Sequence, residues 1–315
     1  MSLSSWLRSA LLEPEPPLAA IEVRASGLSA IRLGRERQQP VLSGAASFEL
    51  PSGALQLSLT EPNLRDVELF RRTLGVLADR VGLAGGGRIA LVLPDPVARV
   101  VFVPAAELKA RGRAELLEEL RFRLRKTVPF EIRDAVLSWI PVPEGPGRPA
   151  QLLVSAIASQ VLQGYEAPLR ELGFEPGRVE LCGLALAAAL RPAPQADELL
   201  INWDAGYCTL ALLRDGEPIL FRTLAGELAA QPAEVVREAA STVLYYRDRL
   251  GGPGLQRALL RSTPLPAAEA AQLLQDPLGL MPEPVDPWGA LRGAPAGVES
   301  MPFAGAAASL VGRAA

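Results

Sequence analysis

Two stretches of this 315-residue chain place polar side chains at the end of an apolar strand, just before a turn of small residues. In Ile21-Glu22-Val23-Arg24-Ala25-Ser26-Gly27 the polar groups are Glu22 and Arg24. In Ile201-Asn202-Trp203-Asp204-Ala205-Gly206-Tyr207 they are Asn202 and Asp204, with Gly206 in the turn. Small turn residues let backbone N–H groups approach an anion such as a phosphate, and a carboxylate nearby can organise magnesium. Glu22 and Asp204 could then position metal and water for phosphoryl transfer, which asks for little beyond positioning and electrostatics. The other reading is a pair of ordinary hairpins that carry no chemistry.

The chain contains no histidine, which removes the commonest general base and the most frequent metal ligand. Catalytic triads that rely on histidine are excluded. The two cysteines, Cys182 and Cys208, are far apart and suggest neither a zinc site nor a disulfide framework, so a reducing compartment is the simpler expectation. No catalytic residue and no metal site are assigned. A hydrophobic content of 49% with 21% charged residues fits a chain with a real core rather than a disordered one. The net charge of −3 gives no footprint for nucleic acid. No run approaches the roughly 20 apolar residues of a membrane span.

The candidate turns need strands to hold them. Ala20–Arg24 and Leu28–Leu33 alternate apolar and polar residues, and a third strand is expected near Gly44–Leu50. A helix follows with Val67, Phe70, Leu74, Leu77 and Val81 on one stripe, and then the apolar strand Ile89–Leu93. Arg99–Val103, Glu115–Lys126, Ala135–Val142, Leu152–Ala158 and Val161–Leu172 read as strand, helix, strand, strand and helix, an α+β insertion. Glu180–Leu190 reads as an alanine-rich helix, and Arg191-Pro192-Ala193-Pro194 as a linker. A second meander then runs from Leu199 to Thr223, with Asp215-Gly216 as a hairpin turn, before the long helix Glu234–Leu250 and the strand Arg257–Arg261. The expected division is an amphipathic segment over 1–17, a first lobe over 18–190 containing an insertion at about 97–160, a second lobe over 198–291, and a flexible Ala/Gly/Pro-rich tail over 292–315.

A three-strand antiparallel opening used twice, each time with helices after it, resembles the actin-like fold. This is a two-lobed α/β fold of the ribonuclease H-like type, here with an inserted α+β subdomain. Within that group the chain resembles the PilM family of type IV pilus assembly proteins, related to FtsA, over roughly Leu18–Pro287. The resemblance rests on Leu91-Val92-Leu93-Pro94-Asp95, on Leu116–Phe130, on Leu153–Leu172 followed by Gly173-Phe174-Glu175-Pro176, and on Arg237–Tyr246.

The resemblance implies a nucleotide cleft between the two turns, where the family carries Asp-x-Gly. Aligned without gaps, Glu22 and Asn202 stand at the Asp positions, and Arg24 and Asp204 at the Gly positions. A shifted register would instead read Asp204-Ala205-Gly206 as an intact turn. Leu260-Arg261-Ser262-Thr263 stands where the family has Gly-Gly, and its side chains obstruct a close backbone approach. The expectation is a degenerate site without a cofactor; ATP with magnesium binds if the site works. Arg24 either pairs with a phosphate or bridges an empty cleft to Asp204, the second being favoured.

By the same resemblance the chain is a cytoplasmic scaffold, peripheral to the inner membrane, that binds the tail of a PilN-like membrane protein in a groove beside the insertion and can self-associate. Arg121, Arg123, Arg125 and Lys126 form either a rim for that partner or a solvated helix face. The alternative function is an active ATPase or a sugar-kinase-type phosphotransferase. The cytoplasmic half of a type II secretion protein would carry a C-terminal anchor, which this sequence lacks. Tyr245 and Tyr246 are expected to fill core and interface rather than stack on a ligand.

Overall fold

The computed structural model describes residues 17–311 except 38, 111, 146, 192–194, 290 and 294–296. The expected amphipathic segment up to residue 16, and the prolines of the expected linker, lie outside the described residues.

Both halves of the chain begin with the same meander. In the first, β1 (Ala19–Arg24), β2 (Gly27–Glu36) and β3 (Gln39–Glu49) run antiparallel, and β4 (Gly87–Leu93) returns parallel to β1. In the second, β9 (Asp197–Asp204), β10 (Tyr207–Arg214) and β11 (Glu217–Ala225) repeat the pattern, with β12 (Arg257–Ser262) parallel to β9. Adding β8 (Phe174–Leu181) and the short β13 (Glu283–Pro284) gives two five-stranded sheets, ordered β3-β2-β1-β4-β8 and β11-β10-β9-β12-β13. Local chemistry explains the hairpins. Asp215 and Gly216 both adopt positive φ, 55° and 78°, the conformation that a tight two-residue turn requires and that Asp-Gly tolerates.

Alternation along β1 divides its neighbours. Ile21 and Val23 face a core shared with α1 (Val67–Arg80) and α3 (Ser159–Glu171) through Phe70, Leu74, Leu77 and Tyr165. The helix α1 starts where the Asp66 carboxylate accepts the Leu69 N–H, a normal N-cap. In the second lobe α5 (Pro232–Arg249) and α6 (Ala267–Leu278) cover one face of the sheet. There Trp203, Leu210, Val235 and Tyr246 are buried. Tyr246 is thus core, while Tyr245 is exposed. The insertion between β4 and α3 is the sheet β5-β7-β6, made of Arg99–Pro104, Gln151–Ala158 and Ala135–Val142. Its helix α2 (Arg113–Leu124) packs through Leu120 and Leu124.

Two expectations need correction. The segment after Leu172 is not a link into a helix at Glu180: it is β8, and the helix α4 starts only at Cys182 and ends at Ala189. Pro176 and Gly177 obscure the strand pattern, yet an edge strand tolerates both, and the register shifts at Gly177. The tail is not loose either. Met301–Phe303 forms a turn of 3-10 helix, and Ala304–Val311 is a buried helix, α7. Small side chains give no amphipathic signal, but they let the helix lie close on the sheet, where Ala306 and Ala307 meet Ala20 and Ala90.

Candidate functional site

Each candidate hairpin turns through two residues. Arg24 pairs with Gly27, and Asp204 with Tyr207. Arg24 and Asp204 are therefore equivalent positions in the two lobes, as are Glu22 and Asn202. The tips of the turns touch: a Cβ on Gly206 would lie 3.4 Å from that of Ala25.

Behind the tips lies a group of fully buried polar side chains. Glu22 shares with Ala20 the face of β1 opposite Ile21, the face on which Ala306 of α7 packs, and its carboxylate reaches the second lobe. Its partner there is Arg261 of β12, which is 0% exposed. The guanidinium donates through Nη2 to Glu22 Oε1 at 2.8 Å. Through Nη1 it donates to Asn202 Oδ1 at 2.8 Å and to Asp204 Oδ2 at 2.9 Å. Arg261 stands beside Asn202 in the β12–β9 register, which is why it reaches both lobe-two acceptors. Glu22 Oε2 accepts the Ala306 N–H at 2.9 Å in the first turn of α7.

A second link runs parallel to the first. Asn202 Nδ2 donates to Asp95 Oδ2 at 2.9 Å, and Asp95 Oδ1 accepts the Gly183 N–H at 2.7 Å. Asp95 lies in the loop after β4, so this contact also joins the lobes.

Burial raises the Glu22 carboxyl above its ordinary value, against the opposing pull of Arg261 and of the Ala306 N–H. Burial also raises Asp95, against hydrogen bonds from Thr209, Gly183 and Asn202. For Arg261 burial disfavours the charge, but the acidic groups around it, Cys182 first and then Glu22 and Asp204, hold its pKa well above the ordinary value. Cys182, whose Sγ lies 3.6 Å from Glu22 Oε1, has its thiol pushed well up by burial.

These shifts have a consequence for stability. With its pKa raised on folding, Asp95 binds more protons in the folded than in the unfolded chain above its ordinary 3.8. Its contribution is fully present below that pH and is lost as pH rises through the folded value. Wild type is therefore expected to lose stability relative to Asp95→Asn as pH rises above the ordinary 3.8 in urea unfolding. The opposite slope would mean that the site favours the ionised form.

The close packing here also depends on glycine. A Cβ on Gly305 would stand 2.9 Å from the Glu22 carboxylate and 2.8 Å from Cys182 Sγ. Gly305→Val is expected to cost at least about 1–3 kcal/mol in thermal or urea unfolding, because α7 must move off β1.

Arg24 does not bridge to Asp204. It stays in its own lobe, donating to Ser29 at 3.1 Å, to Ser47 at 3.0 Å and to Glu49 at 2.5 Å. Arg24 and Gly27 face a shared hydroxyl-rich strip of β2 and β3, which satisfies the guanidinium locally. On α2, Arg121 pairs with Glu118, and Arg123 with Glu107 and Glu119. Arg125 lies over the exposed Phe122 ring, and Lys126 is exposed. None of these four lines the cavity between insertion and lobe. Arg261, Asp95 and α7 were not assigned from sequence. An arginine inside the apolar strand Ala258-Leu259-Leu260 was the one available signal.

A nucleotide with magnesium does not fit these residues. Glu22, Asn202, Asp204 and Arg261 are at most 1% exposed, a guanidinium stands between the two carboxylates, and the turn tips are in contact.

No family model and no curated protein matches the sequence. Solved structures do match. A chain of the PilM-PilN type IV pilus biogenesis complex superposes with a TM-score of 0.76 at 22% identity, over 95% of this chain and 98% of that one. A Bacteroides thetaiotaomicron protein with an actin-like ATPase fold gives 0.52 at 9% identity, over 83% and 88%. The cytoplasmic domain of EpsL, an inner-membrane component of the Vibrio cholerae type II secretion system, gives 0.50 at 12% identity, over 90% and 92%. The chain has the two-lobed actin-like fold, and it resembles the PilM-PilN structure over nearly its whole length.

Proposed function

We propose that this chain is a PilM-like adaptor that works without a nucleotide at the cytoplasmic side of an inner-membrane pilus or secretion assembly. It holds the short tail of a PilN-like membrane protein. The observation that carries this reading is the groove between the first lobe and the insertion, a cavity of about 340 Å³. Two strands border it, β6 and β8, and each is the outermost strand of its sheet. Arg178 to Leu181 follow one another along its wall, so the edge of β8 itself faces the groove as well as its side chains. Val136, Ile140 and Val179, all unusually exposed for their type, supply apolar surface.

Open strand edges beside apolar pockets suit an extended peptide. Main-chain hydrogen bonds provide affinity, and alternate side chains provide specificity. The likeness to the PilM-PilN complex supports a PilN-like source for that peptide, and the EpsL likeness supports a place in an inner-membrane machine. Among the described residues no helix is long and apolar enough to cross a membrane. In this reading the PilN-like partner supplies the attachment.

A labelled synthetic peptide of the PilN-like cytoplasmic tail is expected to bind saturably in fluorescence anisotropy. Ile140→Asp should weaken it at least about tenfold by placing a charge in the apolar wall. Equal binding by wild type and I140D, or no binding by either, would sink the reading. Adding magnesium-ATP should leave the affinity unchanged.

A further inference from the structure

We infer that Arg261 is an internal ligand that clamps the two lobes, and that the pocket it fills is a recognition site for a guanidinium ion. The inference does not depend on the identity of the partner. Its basis is the way one planar group collects acceptors from separate parts of the chain. Glu22 comes from the first lobe, Asn202 and Asp204 come from the second, and the Met301 carbonyl, 3.4 Å from Nε, comes from the segment leading into α7.

The fork geometry matters. Nη1 serves the second lobe while Nη2 serves the first, so the rigid spacing of the guanidinium sets the spacing of the lobes. Glu22 passes the restraint on to α7 through the Ala306 N–H. All the charged partners are buried, so separating the lobes would strand charges that are now paired. A buried pair of this kind adds little net stability over an apolar filling, but it selects one arrangement of the groups it joins. A diffusible ligand between two lobes can hold them closed only while it is bound. Here the ligand is covalently part of the chain, so the closed arrangement does not depend on a bound molecule.

Cys182 reports on the clamp. It is buried beside Glu22, so its reaction with a thiol reagent requires the lobes to part. In a Cys208→Ala background, Arg261→Gly is expected to label at Cys182 about tenfold faster or more than the parent. Guanidinium chloride at about 10 mM, far below denaturing concentrations, should slow that labelling and raise the melting midpoint by about 2–4 °C. The parent should show neither effect, and sodium chloride at the same strength should not substitute. Labelling of R261G at the parent rate, or a variant indifferent to guanidinium, would overturn the inference.

Should R261G fail to fold, Arg261→Lys decides. An ammonium cannot span both carboxylates in the fork geometry, so Cys182 should label at an intermediate rate. A rate equal to the parent would show that charge alone, without the fork, is enough, and would overturn the inference too. Peptide affinity in the groove is measured separately, so a failure here leaves the adaptor reading standing, and the reverse also holds.

Discussion

Glu22→Ala is expected to lower the free energy of unfolding by about 3–5 kcal/mol, the range for removing one partner of a buried ion pair. The substitution keeps Arg261 where it is, 0% exposed, and removes the first-lobe carboxylate that it pairs with. Two separate penalties combine. The guanidinium loses a partner in a place that water does not reach, and the Ala306 N–H at the start of α7 loses its acceptor. Chemical denaturation monitored by circular dichroism measures the total. Glu22→Gln should cost less, because the amide oxygen can still accept one of the two hydrogen bonds. A loss below about 1 kcal/mol for the alanine variant would mean that the cleft rehydrates and that Arg261 is not held by burial.

Asp197→Ala is expected to cost about 3 kcal/mol for a related reason in a different place. Asp197 begins β9, and its carboxylate accepts Arg214 through Nε at 2.9 Å and Nη2 at 2.8 Å. It also accepts the Tyr246 hydroxyl at 2.6 Å. Arg214 closes the hairpin from β10, and Tyr246 anchors α5, so one carboxylate ties three elements of the second lobe together. Arg214 is 13% exposed and would retain little water in exchange. The variant has a spectroscopic signature as well. Burial, then the hydrogen bond to Asp197, push the Tyr246 phenol up to about 12 from an ordinary 10.0. Its contribution to stability is present below pH about 10 and is lost as pH rises toward 12. Without Asp197 the tyrosinate absorbance should appear at lower pH. An unchanged ultraviolet titration would show that burial alone sets the value.

Features carried by neighbouring residues are legible in the sequence. The two meanders, the Asp215-Gly216 turn, the stripe on α1 and the strands and helix between β4 and α3 follow from alternation, helical spacing and turn chemistry within a few residues. Strand β8 escaped because Pro176 and Gly177 interrupt its alternation, and α7 because a run of alanines has no polar face to contrast with. The groove beside the insertion rested on resemblance alone. Its walls come from strands that are separate in the chain, and no local pattern brings their edges together.

The candidate site divides along the same line. The sequence by itself determined that two equivalent hairpins would present Glu22 and Arg24 in one lobe and Asn202 and Asp204 in the other. It also determined that a side chain, not glycine, would stand at 261. The tertiary structure alone decided who meets whom. Arg24 turned aside to Glu49, and Arg261 entered the cleft to hold Glu22, 239 residues away, while α7 sealed it from 284 residues away. Strand and turn formation are decided by sterics and hydrogen bonding within a few residues. The partner of a buried charge is decided by which groups the closed chain leaves within reach once water has been excluded.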